Sequence, residues 1–323
     1  MSVSILIATY NRAALLAECL DHLARQPFES GDEVVLVDNG STDATPRVVA
    51  EAHARFPVRL WHLTELRPGK SHAIAAALAV AKGDILAFTD DDVTVDDEWI
   101  GVLRRVMRES NAALAGGPVV PRWERTPPRW LQFAAGEYGR LAAPLGLLNY
   151  GPASSELGPR TVLGANMAVR RDVLNKVGGF ATHLGKLRGT LLSGEDHELC
   201  QRVQAAGFKA IYHPDLRVAH WVPADRMRAS YSMSWFFWSG ITHARLDADA
   251  IGGNTQPSSL SLHFLKRALT SGMRSIGAAV RGRPDRAMDS AIDVAFVAGY
   301  ASHRWRAGNT RTSSTPRAAG AQL

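Results

Sequence analysis

Three adjacent aspartates, Asp90, Asp91 and Asp92, end the apolar run Ile85-Leu86-Ala87-Phe88-Thr89. Neighbouring carboxylates repel one another, so a strand end that carries three of them calls for a cation. Mg²⁺ or Mn²⁺ suits such a set, because these hard ions take carboxylate oxygens and keep positions open for phosphate. A solvated acidic turn capping the next helix is the competing account, and it is the preferred one for Asp96 and Asp97. Asp38-Asn39-Gly40-Ser41-Thr42-Asp43 follows a second apolar run. Asn39-Gly40 is a turn signal, and Ser41, Thr42 and Asp43 can each cap the helix that follows. Asp38 is left unexplained by the turn; an acceptor at the last strand position suits the N–H of a nucleobase. Thr9-Tyr10-Asn11-Arg12 holds the equivalent place after the first run, with polar groups and an aromatic face for a nucleotide. Arg67-Pro68-Gly69-Lys70 puts two cations before a helix N-terminus, a place that already favours anions. Gly194-Glu195-Asp196 opens a later helix, whose dipole accounts for the acids and keeps a carboxylate ionised to accept a proton.

The elements that must position these residues follow from hydrophobic periodicity. Val3–Ala8, Glu33–Val37, Val58–Leu63 and Asp84–Thr89 read as strands. Leu16, Leu20 and Leu23 recur at helical spacing, Thr45–Phe56 and Ser71–Lys82 read as helices, and another runs through Trp99, Leu103 and Val106. Strand–helix alternation predicts an α/β fold, a mainly parallel sheet covered by helices, with ligands gathered at the carboxyl ends of its strands. From Gly116 to Gly164 proline, glycine and tryptophan dominate; a helix is expected near Trp130–Ala135 and a mobile loop at Leu145–Pro159, a candidate lid. Ala165–Arg170, a helix at Glu195–Ala206 and a strand pair through Ile211 and Val218 follow. Beyond Pro223 the pattern is helical, and from about Gly308 the Thr, Ser, Pro and Ala content predicts a disordered tail.

TYNR, VDNGSTD, GKSHA, AKGDILAFTDDDV, GANMAVRR, GGF and GEDHELCQRVQAAG stand in the order and approximate spacing of the family 2 glycosyltransferases. The chain resembles that family over residues 3–222. The resemblance implies a GT-A type, Rossmann-like catalytic domain, 1–115 binding the nucleotide sugar and 116–222 the acceptor. It implies inverting transfer of a sugar from a nucleoside diphosphate sugar to a hydroxyl. Asp38 would contact the base, Thr9 to Arg12 would line the nucleoside pocket and Asp90 would lie near ribose and sugar. Asn39, Gly40, Lys70, Asp91 and Glu195 join these as substrate-binding residues. Asp92 would ligate the metal, Asp196 would be the general base, and His220 a further metal or phosphate ligand. A strand histidine satisfied by hydrogen bonds is the alternative for His220. Two departures stand out: Ile74 and Ala75 replace the Arg-Asn of many members, leaving Lys70 or His72 as substitutes, and Thr89 replaces an aspartate. Rival readings are a nucleotidyltransferase on sugar phosphates and a non-catalytic nucleotide-sugar-binding relative.

Of 323 residues, 46% are hydrophobic and 21% charged, an ordinary globular balance. No secretory leader or spanning run is recognisable, and the two cysteines, Cys19 and Cys200, suit a reducing compartment, so a cytoplasmic location is expected. The net charge of +6 is uneven, with 13 Lys/Arg against 6 Asp/Glu in residues 221–323. No nucleic-acid-binding motif accompanies it. Within the helical extension at 223–307, Leu262, Leu265, Leu269, Met273, Ile276 and Val280 form one stripe flanked by Lys266, Arg267, Arg274 and Arg281. Peripheral contact with the inner membrane face would use it; packing on the catalytic domain, or on a second subunit as a homodimer, is the alternative.

Overall fold

The computed structural model describes residues 1–131, 138–181, 191, 194–250 and 262–312. The chain divides into two compact units, Met1–Arg228 and Ala229–Leu323. In the first, strands β1 (Val3–Thr9), β2 (Glu33–Asp38), β3 (Arg59–Thr64) and β4 (Ile85–Asp90) alternate with helices α1 (Ala13–Ala24), α2 (Thr45–His53) and α3 (Lys70–Val80). All lie close to the predicted spans, although α2 stops at His53 rather than Phe56. There follow β5 (Val93–Val95), α4 (Trp99–Glu109), β6 (Leu114–Gly116), β7 (Val119–Trp123), β8 (Ser155–Glu156), β9 (Asn166–Arg170), α5 (Arg171–Val177), α6 (Glu195–Ala205), β10 (Ala210–Tyr212) and β11 (Val218–Val222).

Eight strands form one sheet in the order β3-β2-β1-β4-β9-β6-β10-β8, and β5-β11-β7 form a second. The pairs β1–β2, β2–β3 and β1–β4 are parallel, while β9 runs antiparallel to β4 and β6. This is the mainly parallel, helix-flanked architecture expected. Side chains alternate across the sheet, which sorts the apolar runs onto two faces. Leu6, Val35, Val37, Leu86 and Phe88 meet Ala73, Ile74 and Ala77 of α3 and Leu199 and Val203 of α6 in one core. Ile5 and Ile7, on the other face, are equally buried. Strand order reverses between β1 and β4, the switch point where such sheets open a crevice.

Two expectations need revision. Ile211 and Val218 are not in paired strands: β10 joins the large sheet and β11 the small one. The close approach of Gly117 to the carbonyls of His213 and Leu216 marks where the chain turns from one sheet to the other. The segment Leu145–Pro159 is no mobile lid, because it is stitched into the core. Leu145, Leu147, Leu148 and Leu157 are buried, Leu148 bridges Val119, and β8 pairs with β10. Of the helix expected near Trp130–Ala135, the described part is a 3-10 turn, Arg129–Leu131, and 132–137 lie outside the described residues.

The second unit comprises α7 (Ala229–Ala250), α8 (Leu262–Val280) and α9 (Pro284–Thr312), with α9 packed on both others. Gly240 and Gly299 let the α7 and α9 backbones touch; a Cβ at either would collide with a carbonyl of the other helix. In the aromatic cluster of α7, Phe236 is buried and Trp235, Phe237 and Trp238 partly so. Helix α9 continues past Gly308 to Thr312, and the rest of the expected disordered tail lies outside the described residues.

Candidate active site

The carboxyl ends of the central strands are level. Thr9 pairs in register with Asp38, and Ala8 with Asp90. The loops that follow are bound to each other. Asn11, at φ 51°, donates its N–H to Ser41 Oγ (2.9 Å), and its Oδ1 accepts the Thr42 N–H (2.7 Å). Asp38 Oδ1 accepts the Ser41 N–H at 2.8 Å. Ser41 and Thr42 therefore serve the Asn11 loop and not the α2 cap; Asp43 divides between Ala13 N–H and Thr45 N–H, each at 3.0 Å. Asn39 is a brace. Its Nδ2 donates to Glu65 O (2.7 Å) and Arg67 O (2.8 Å), and its Oδ1 accepts the Gly69 N–H (2.9 Å). Gly40, at φ 79°, makes the turn between them. Tyr10 stands at the rim, 38% exposed. Arg67 pairs with Glu65 and holds its carboxyl down to about 2, which leaves Lys70 as the cation of this loop that faces the sheet.

The three aspartates part company. Asp91 and Asp92 are each only 4% exposed. Thr9 Oγ1 donates to Asp91 (2.8 Å), and Arg12 Nη1 donates to Asp91 Oδ1 (2.9 Å) and Asp92 Oδ2 (2.7 Å). Thr9 and Arg12, expected to line a nucleoside pocket, thus also hold the acidic run. Burial pushes the Asp91 carboxyl up to about 6, with the Asp92 charge adding to it and Arg12 opposing. Burial would raise Asp92 too, but the His220 imidazole, Arg12 and Arg226 outweigh it and hold that carboxyl well below its ordinary range.

His220 reaches Asp92 through strand pairing. β11 runs antiparallel to β5 with His220 opposite Val93, and the Trp221 N–H donates to Asp92 O at 2.8 Å. His220 Nε2 then lies 3.4 Å from Asp92 Oδ1. That oxygen and His220 Nδ1 are buried without a hydrogen-bond partner.

Asp90 faces the other way and forms an ion pair with Lys70, the first residue of α3. Burial works against the Lys70 ammonium, but Asp90, Asp196 and Glu195 together hold its pKa well above the ordinary lysine value. Lys70, Glu195 and Asp196 line a small cleft with Phe88, Phe180 and Gly164 among its walls. Asp196 Oδ2 accepts the Gly164 N–H at 2.7 Å, and a Cβ on Gly164 would stand 2.7 Å from Asp196 Oδ1 and displace that carboxylate. Glu195 is buried beside it, with its own carboxylate on the Gly194 N–H (3.0 Å). Ile74 supplies an apolar wall and Ala75 is exposed, so neither takes over the polar contacts of the Arg-Asn pair. Thr89 Oγ1 is bonded to Ala165 O (3.1 Å) inside the sheet. Sequence reasoning assigned no role to Gly164, Phe180 or Arg226. Gly164 opens the GANMAVRR motif and Phe180 closes GGF, so both were within reach; nothing local marks Arg226.

Comparison with known proteins identifies the family. The family model described as "Glycosyl transferase family 2" matches residues 4–178. The chain is 27% identical over 251 residues to a glucosyl-dolichyl phosphate glucuronosyltransferase of Haloferax volcanii, covering 76% of this chain and 78% of that protein. It is 29% identical over 265 residues to the succinoglycan biosynthesis protein ExoM of Rhizobium meliloti, covering 81% and 80%. A solved structure of a mannosyltransferase from Pyrobaculum calidifontis, in complex with GDP-Man and Mn²⁺, has the same fold, with a TM-score of 0.55 at 20% identity over 98% of this chain and 76% of that one. The family match spans more than half of the chain, and the protein belongs to glycosyl transferase family 2 and is a glycosyltransferase.

Proposed function

We propose that this protein transfers a sugar from a nucleoside diphosphate sugar to an acceptor hydroxyl, with inversion and with a divalent cation at Asp92. The observation that carries the reading is Asp92 Oδ1, a buried carboxylate oxygen with no hydrogen-bond partner, facing His220 at the sheet's switch point. Asp92 and His220 fit a hard cation as a two-residue seat. No group of three His, Cys, Asp or Glu side chains occurs among the described residues. Mg²⁺ and Mn²⁺ accept so few protein ligands because substrate phosphates and water complete their shells. The complex of the Pyrobaculum mannosyltransferase supports the same donor class and ion. When bound, the cation would offset charge on the departing diphosphate as a Lewis acid.

The protein's own groups do the rest. Asp38, at the end of β2, would accept the N–H of the base, with Tyr10 and the Asn11 loop around the nucleoside. Asn39 and Gly40 would act by fixing the loop that carries Lys70. Arg12 would hold Asp91 and Asp92 in place, and Asp90 with Lys70 would border the sugar. Asp196 would take the proton of the acceptor hydroxyl as its oxygen bonds to the anomeric carbon and the bond from that carbon to phosphate oxygen breaks. Its place at the start of α6 favours the ionised form. Glu195, beside it, would border the acceptor. Attack from the side opposite the leaving group inverts the centre.

A donor-panel assay with each of Mg²⁺ and Mn²⁺ tests this. Release of one nucleoside diphosphate, dependent on the ion and stopped by chelator, is expected. Full activity in chelator would remove the metal from the reading. An imidazole in the ligand set favours Mn²⁺ over Mg²⁺.

A further inference from the structure

Helix α8 presents its greasy side to water. Its small and polar residues face its neighbour: Ser271 Oγ donates to Asp293 Oδ2 of α9 (2.9 Å), and Ser275 Oγ donates to Ala287 O (2.8 Å). Ser271 and Ala278 are buried. On the far side Leu269, Met273, Ile276 and Val280 are 61%, 66%, 68% and 82% exposed. At 3.6 residues per turn these four lie within an arc of about 60°, opposite Ser271 and Ala278. Single exposed hydrophobics are ordinary, but four in line on one helix mark a surface that another apolar phase covers.

Charge decides which phase. Between Leu262 and Arg283 the chain holds five Lys/Arg and no Asp or Glu. Lys266, Arg274 and Arg281 are exposed and fall along one edge of the stripe. A two-fold pairing of this face with itself would set these cations against their own copies, with no acid on the helix to compensate. An anionic lipid surface complements both features. The apolar line enters the acyl boundary, and the long basic side chains reach headgroups while their stems lie in the interface.

We propose that α8 is an in-plane membrane anchor, docking through Leu269, Met273, Ile276 and Val280 onto a lipid surface rich in anionic headgroups. No helix among the described residues is long and apolar enough to cross a membrane, and in-plane docking requires none. The assignment is independent of the transfer reaction.

Co-sedimentation of the full chain tests it, using phosphatidylcholine vesicles with about 30% phosphatidylserine against phosphatidylcholine alone, at low and high salt. Binding several-fold stronger to the anionic vesicles, and weakened several-fold by salt, is expected. The exposed-site variants Met273→Gln/Ile276→Gln and Arg274→Glu/Arg281→Glu should each lose it while keeping the helical circular dichroism and the turnover of a soluble acceptor. A full chain that binds neither vesicle, or binding that survives both variants, overturns the proposal. So does a dimer in solution that Met273→Gln/Ile276→Gln dissociates while vesicle binding is absent, since the face then belongs to a second copy.

Discussion

Asp91 and Asp92 lie buried against Arg12, Thr9 and His220, whereas Asp90, one residue earlier, pairs with Lys70, which lines a cleft with Glu195 and Asp196. Strand alternation separates them. Leu86, Phe88 and Asp90 share the face that packs on α3, and the chain then turns Asp91 toward β1 and the start of α1. On one side the protein itself compensates the carboxylates, leaving Asp92 Oδ1 with no hydrogen bond and only the His220 Nε2 contact at 3.4 Å. On the other, the Lys70 ammonium at the wall of a cleft answers three carboxylates, Asp90, Asp196 and Glu195. The first arrangement suits a charge that stays; the second suits charge that moves during a reaction.

The most damaging way to probe this contrast is Asp92→Asn. The amide is a poor ligand for a hard cation, and turnover should fall by about 10³ or more, with weaker nucleoside diphosphate binding, as expected for several kcal/mol of lost charge stabilisation. Activity of the variant close to that of the unaltered protein would mean that the leftover oxygen is structural.

Asp196→Asn tests the other side. Asparagine keeps an oxygen for the Gly164 N–H, so donor binding should stay near normal while transfer drops by about 10²–10⁴. Glu195→Gln should cost less. The reverse order would move the base to Glu195, and loss of donor binding in Asp196→Asn would make Asp196 a structural residue.

The smallest effect is expected at Cys19, which lies behind the acidic run with its Sγ 3.5 Å from Asp90 O. Burial first, and then the charges of Asp91, Asp92 and Asp90, push its thiol well above the ordinary range. A raised pKa keeps the thiol protonated at neutral and mildly alkaline pH, so Cys19 should resist thiol reagents in the native protein. Because burial dominates, Asp91→Asn should leave that resistance intact. Reactive Cys19 in Asp91→Asn would show that Asp91 and Arg12 hold the packing of β1, β4 and α1 together.

Strands β1 to β4 and helices α1 to α3 were legible in the amino-acid sequence because their signals are local: apolar runs of strand length, leucines at helical spacing, and turn residues between them. The same locality put Asp38, Asp90 and Asn11 at strand ends where ligands collect. Glycine and proline density misled at Leu145–Pro159, since it reports backbone bends and not the burial of the leucines between them.

The sequence by itself determined the α/β alternation, the acidic run at the sheet's opening and the existence of an apolar stripe on α8. Tertiary structure alone decided that His220 meets Asp92, through a β5–β11 register between residues more than a hundred positions apart. It also decided that Asn39 braces the Lys70 loop, that Gly164 seats Asp196, and that the α8 stripe points outward. A periodicity defines which residues share a face, but the direction of that face depends on what packs against the opposite one. That choice is made by long-range contacts, which leave no mark in any short window of residues.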